Sequence, residues 1–158
     1  GEAENTRSDN TSEVYSGGWE FSEHRDAFSN KETSMVILES DAVGETMSDK
    51  PTLTIIRCDG KGSKEVIVRT HGYLGSDRIR VRYKFGDNDP ILERWSPSTS
   101  GQAVFLPRGY KDFLKGIKTG ESFIFEVTDF QGSRAMAEFI NADKGKDDRD
   151  YVLNGCKK

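Results

Sequence analysis

The sequence predicts a mainly β protein, an antiparallel β-sandwich or open barrel of about nine strands with one or two short helices. Residues 78–85 alternate strictly: Ile79, Val81, Tyr83 and Phe85 share one parity, and Arg78, Arg80, Arg82 and Lys84 the other. Successive strand side chains point to opposite faces, so this is one strand with an apolar and a basic face. Short β-branched and aromatic runs recur between clusters of turn formers, in an order that suits successive hairpins and antiparallel pairing. A clear helical period is confined to residues 107–120.

The elements follow in order. Residues 1–13 are polar and without periodicity, and read as a disordered leader or linker before a single β-rich domain over 14–158. Gly17 and Gly18 mark the entry to structure, and 19–23 form a first strand with Trp19 and Phe21 on one face. Residues 24–32 are turn-like. Met35, Val36, Ile37 and Leu38 make a short apolar run, a buried strand, followed by a loop over 41–51. The strands 53–58 and 65–70 flank the turn signal Asp59-Gly60-Lys61-Gly62-Ser63 and form a hairpin. Residues 71–75 are an irregular bridge to the basic strand. The turn formers of 86–90 then return the chain over 91–96, and 102–106 is a short strand.

Pro107 suits a first helical turn; Tyr110, Phe113, Leu114 and Ile117 recur at helical spacing, and Gly120 ends the run. Residues 121–128 and 133–140 make a third hairpin around Gln131-Gly132. A charged run over 143–150 precedes Tyr151, Val152 and Leu153, on a short terminal helix that carries Cys156. The aromatic residues Trp19, Phe21, Phe123, Phe125 and Phe139 read as core.

With 158 residues the chain can bury one proper core. Its formal net charge of −4 gives no bulk drive toward nucleic acid. The sequence holds no apolar run long enough to span a membrane, and no signal-peptide pattern opens it. The start, GEAENTRSDNTSE, reads as a processed end. Cys58 and Cys156 form either one disulfide or two free thiols. The disulfide is the expectation, and with it a periplasmic or secreted location. Neither cysteine has a CxxC neighbour, so zinc and redox catalysis are not expected.

The strongest candidate surface is the basic ridge. If Glu93 and Trp95 of the returning strand share its face, Glu93 can pair with an arginine and Trp95 can hold a guanidinium on its ring. The shared face is the expectation. The binding candidates are therefore Arg80, Arg82, Glu93, Arg94 and Trp95, an anion-binding surface whose bland counterpart is a solvated strand face with cross-strand ion pairs. His24 in SEHRD and His71 in THGYLG are the histidine candidates for a hydrolytic site. They lack the spacing of HExxH or GxSxG signatures. The glycines of 59–63 join two strands and so make a turn rather than a phosphate loop. Among 27 acidic residues nothing singles out a catalytic pair. No cofactor, metal or catalytic residue is expected.

The chain resembles the VasI/TagO-like family of small exported bacterial proteins associated with type VI secretion clusters. The resemblance runs from about Trp19 to Cys156 and rests on Trp19 in GGWEFSE, on the strand ending Arg57-Cys58, and on the trailing cysteine. The closest stretch is VRYKFGDNDPILERWSPSTSGQAVFLP; THGYLGSD and DKGKDDRD depart from the pattern. Arg82, Glu93, Arg94, Trp95, Ser96 and Ser98 map onto its most recognisable segment. The resemblance implies an accessory, non-enzymatic envelope protein that meets a protein partner or a cell-wall component. The competing expectation is a periplasmic hydrolase using a His/carboxylate pair.

Overall fold

The computed structural model describes residues 18–40, 52–59, 64–107, 111–119, 122–140 and 143–156. The leader 1–13, the loop 41–51, the turn residues 60–63, Tyr110 and Gly120 lie outside the described residues. Among those described, nine strands and two helices follow one another. They are β1 (Glu20–Arg25), β2 (Glu32–Glu39), β3 (Leu53–Cys58), β4 (Lys64–Arg69), β5 (Ile79–Phe85), β6 (Ile91–Pro97), β7 (Ala103–Phe105), α1 (Lys111–Lys118), β8 (Phe123–Thr128), β9 (Arg134–Phe139) and α2 (Lys146–Leu153).

The strands join into a single antiparallel sheet in the order β9-β8-β5-β6-β7-β4-β3-β2-β1. The first four make a meander. The chain then skips two positions to β5, and β5-β6-β7 meanders back until β7 pairs with β4. Three hairpin-linked strands with a fourth beside the end of the set make a Greek-key arrangement. Through α1 the chain reaches the far side of β5, where β8 and β9 close the sheet.

Alternation decides which side of each strand is buried. Val36, Ile56 and Val66 lie opposite one another on β2, β3 and β4 and all face the core. On β5 and β8, Val81, Tyr83 and Phe85 pair with Val127, Phe125 and Phe123, and all six are buried. Phe113 of α1 sits over this layer, 5.2 Å from the Tyr83 ring, 5.4 Å from Phe85 and 5.6 Å from Trp95. Edge-to-face contacts of this kind add to the burial of aromatic area.

The first strand begins one residue after Trp19 and runs on to Arg25, so His24 lies on a strand rather than in the turn. Trp19 is buried beside it, its amide donating to Lys144 O at 2.8 Å. The charged run is also more ordered than its composition suggests, because α2 begins at Lys146 and buries Arg149, Val152 and Leu153. These positions are three and four apart and so share one helical face. Arg149, 1% exposed, donates to Ile117 O at 2.7 Å and Lys118 O at 3.3 Å, and pairs with Asp150 at 3.0 Å. It satisfies carbonyls at the C-terminal end of α1, where a cation also suits the helix dipole. The disulfide Cys58–Cys156 ties the end of α2 to β3, with Cα atoms 6.0 Å apart.

At Gly116 α1 packs directly against a ring of the sheet. A Cβ there would be driven into the Phe85 ring. Gly116→Ala gains about 1 kcal/mol of helix propensity but overpacks the core by about 1–3 kcal/mol. A lowered urea midpoint is therefore expected; a raised one would show that Phe85 moves aside freely.

Candidate surface on the outward face of the central hairpin

The register of the β5–β6 hairpin fixes the site. Ile79 pairs with Trp95, Arg80 with Arg94, Val81 with Glu93 and Arg82 with Leu92. Directly opposed residues point to the same side of a sheet. Glu93 and Trp95 therefore belong to the buried side, and Arg94 joins the ridge. This corrects the expectation that Glu93 and Trp95 stand among the cations. The cause is energetic: burying an indole removes far more apolar area from water than exposing Leu92 forfeits. Trp95 is 0% exposed and Leu92 69%.

Glu93 reaches the buried side as a partner rather than as a stray charge. Its Oε1 accepts from the Tyr83 hydroxyl at 2.7 Å and from Trp95 Nε1 at 2.9 Å. It thus satisfies the two polar hydrogens of an aromatic layer. Burial, then the hydrogen bond to Glu93 and its charge, push the Tyr83 phenol well above its ordinary pKa.

On the outward face the cations divide. Arg82 pairs with Glu126 of β8 at 3.1 Å. The two are partly exposed, so the pair is worth about 0–1 kcal/mol. Arg78 donates to the Arg94 carbonyl at 2.9 Å. Arg80 and Arg94 are exposed. So is Arg134 of β9, a residue that reading the sequence missed. Arg134 pairs with Thr128, and Val127 pairs with Val81, which sets Thr128 beside Arg80. The row across four strands is therefore Arg134, Thr128, Arg80, Arg94. Among the described residues none of these three arginines has a carboxylate at ion-pair distance.

Two shallow depressions meet on this row. One, of about 340 Å³, includes Arg80, Arg82, Leu92 and Arg134; the other, of about 390 Å³, includes Arg78, Arg80, Arg94 and Phe130. Arg80, Thr128 and Gly132 line both. Phe130 is 70% exposed and its ring lies 5.4 Å from that of Tyr73, which is also exposed.

The histidines are not brought together. His24 is exposed on β1 opposite Thr33, and His71 is half-buried in the bridge before β5. Neither hydrogen-bonds a carboxylate or hydroxyl among the described residues. His24 does lie near Asp26, whose carboxyl is held below its ordinary pKa chiefly by the Ser29 hydroxyl, then by the Phe28 amide. Among the described residues no group of three or more His, Cys, Asp or Glu could hold a metal ion. Nor is any described helix long and apolar enough to cross a membrane.

No protein-family model matches the chain. No curated protein matches it. Among solved structures, invasion associated protein B from Bartonella henselae is similar, with a TM-score of 0.52 and 10% identity, over 84% of this chain and 91% of that one. At that identity the likeness is one of fold, and it extends over most of the nine-stranded architecture.

Proposed function

We propose that this protein is a non-catalytic accessory module of the bacterial envelope, periplasmic or secreted, that docks a partner on the outward face of β5, β6, β8 and β9. The observation that carries the reading is the arginine row. Like charges on neighbouring strands repel, and among the described residues this row lacks a carboxylate such as the Glu126 that relieves Arg82. Solvent and salt make the repulsion tolerable over a screening length of about 8 Å, but they give it no structural return. An anionic partner would convert it into charge-assisted contacts. The bonded pair Cys58–Cys156 supports an oxidising compartment. The association with type VI secretion comes from the resemblance to the VasI/TagO-like family, which rests on the motif residues alone. For a hydrolase, the described residues offer no His/carboxylate pair inside a cavity.

A photo-crosslinking residue in place of Leu92 tests the docking face in intact cells. Discrete adducts are expected, and Arg80→Glu with Arg94→Glu should reduce them at least about tenfold. Adducts undiminished by charge reversal would move the docking face elsewhere.

A further inference from the structure

We infer that the arginine row recognises a short acidic segment of a protein, flanked by apolar residues, and not a long polyanion. The inference rests on the docking reading above and names its ligand class. The guanidinium of arginine matches a carboxylate in a bidentate fork. Arg80 and Arg94 lie on adjacent strands, about 5 Å apart at the backbone, and Arg134 lies two strands beyond Arg80, about 10 Å away. Carboxylates on alternate residues of an extended peptide repeat at about 7 Å, within reach of such flexible side chains.

What surrounds the row limits the length of the anion. Glu126 lies on its Arg82 side, and Asp77 and Asp129 line the depression on the other. Asp77 accepts from the Arg78 amide at 2.8 Å, and Asp129 from the amides of Gln131 and Ser133 at 2.9 and 2.8 Å. They are thereby fixed in place rather than turned onto the arginines. A uniformly charged polymer or an anionic membrane laid across this face would meet those carboxylates as well as the cations. A short acidic run along the row meets fewer of those carboxylates. Beyond the row, both directions offer apolar contact: Leu92 and Met136 on the Glu126 side, Phe130 on the other. The Phe130 and Tyr73 rings are inclined at 56°. Tilted in this way, the two rings do not make one flat platform on which a sugar ring would lie.

The probe is a fluorescent synthetic peptide with a central Glu-Asp-Glu block between Leu and Phe residues. Its controls are the same peptide with Gln and Asn in the acidic positions, a polygalacturonate fragment, and phosphatidylcholine vesicles containing phosphatidylglycerol. Anisotropy titration should show the acidic peptide bound at least about tenfold more tightly than its amide version. Arg80→Gln with Arg94→Gln and Arg134→Gln should abolish that preference while the melting curve stays in place. Phe130→Ala should weaken binding severalfold without changing its dependence on salt, because it removes no charge. Equal binding of the two peptides, or an undiminished preference in the triple variant, overturns the inference. So does tighter binding of polygalacturonate or vesicles. If that tighter binding still needs the arginines, the docking face stands and only the ligand class is wrong. If the cellular adducts also survive charge reversal, both fail.

Discussion

Removing the Cys58–Cys156 bond is expected to lower the unfolding free energy by about 4–5 kcal/mol. The cysteines are 98 residues apart in sequence, so the bond closes a loop over most of the described residues. On the chain-entropy account a cross-link stabilises by restricting the unfolded ensemble, more for a longer loop. The native state already holds α2 by other means. Val152 and Leu153 are buried, Arg149 grips the end of α1, and Lys64 Nζ donates to Leu153 O at 2.9 Å. The double variant Cys58→Ala with Cys156→Ala should therefore retain the fold and lose stability. Alanine is the better replacement at 58, because a serine hydroxyl would be left in a buried site. Urea unfolding of the variant, and of the parent with and without reductant, measures the effect. A loss below about 1 kcal/mol would show that the unfolded chain is already compact enough for the link to restrict little.

The hairpins were legible because their signals are local. Alternation named β5 and its apolar and basic faces, turn formers named the ends of β3 and β4, and spacing named α1. Which face of β6 meets the ridge was not legible. Parity on the returning strand depends on how many residues the turn consumes, and Tyr83 pairs with Ile91 across a connection that composition does not measure. A slip of one residue exchanges the two faces. A carboxylate such as that of Glu93 is costly on the buried side unless satisfied. Its satisfaction comes from Trp95 two residues on and Tyr83 across the hairpin, a relation visible only in space. Arg134 was missed for a different reason. It joins the row because β8 crosses over to pair with β5, and that adjacency is set by topology rather than by neighbouring sequence. Arg149 was hidden in a charged run whose helical face emerges only when Val152 and Leu153 are counted with it.

Trp95→Ala is expected to cost about 3–5 kcal/mol. The indole is fully buried, with ring centroids 5.1 Å from Phe125, 5.6 Å from Phe113 and 5.8 Å from Tyr83. Truncation opens a cavity at the junction of three strands and α1, where the packed rings can collapse only in part. Glu93 would keep the Tyr83 hydroxyl as a donor but lose the indole. Glu93→Leu should act from the other side, leaving the Trp95 N–H and the Tyr83 O–H without their acceptor, at about 1–3 kcal/mol each. Glu93→Gln retains an amide oxygen in the same place and should cost less than Glu93→Leu. Tyr83 supplies a pH signature for the same layer. Its folded pKa is raised above the unfolded value of about 10, so the native state favours the neutral phenol. That stability is complete below pH about 10 and is lost as pH rises through the folded value. Tyr83→Phe should flatten the alkaline fall, although it removes one hydrogen bond to Glu93. Urea midpoints of the four variants at neutral pH, with an alkaline series for Tyr83→Phe and the parent, check the set. A Trp95→Ala protein as stable as its parent would return the indole to the surface, and with it the register that separates Trp95 from the arginine row.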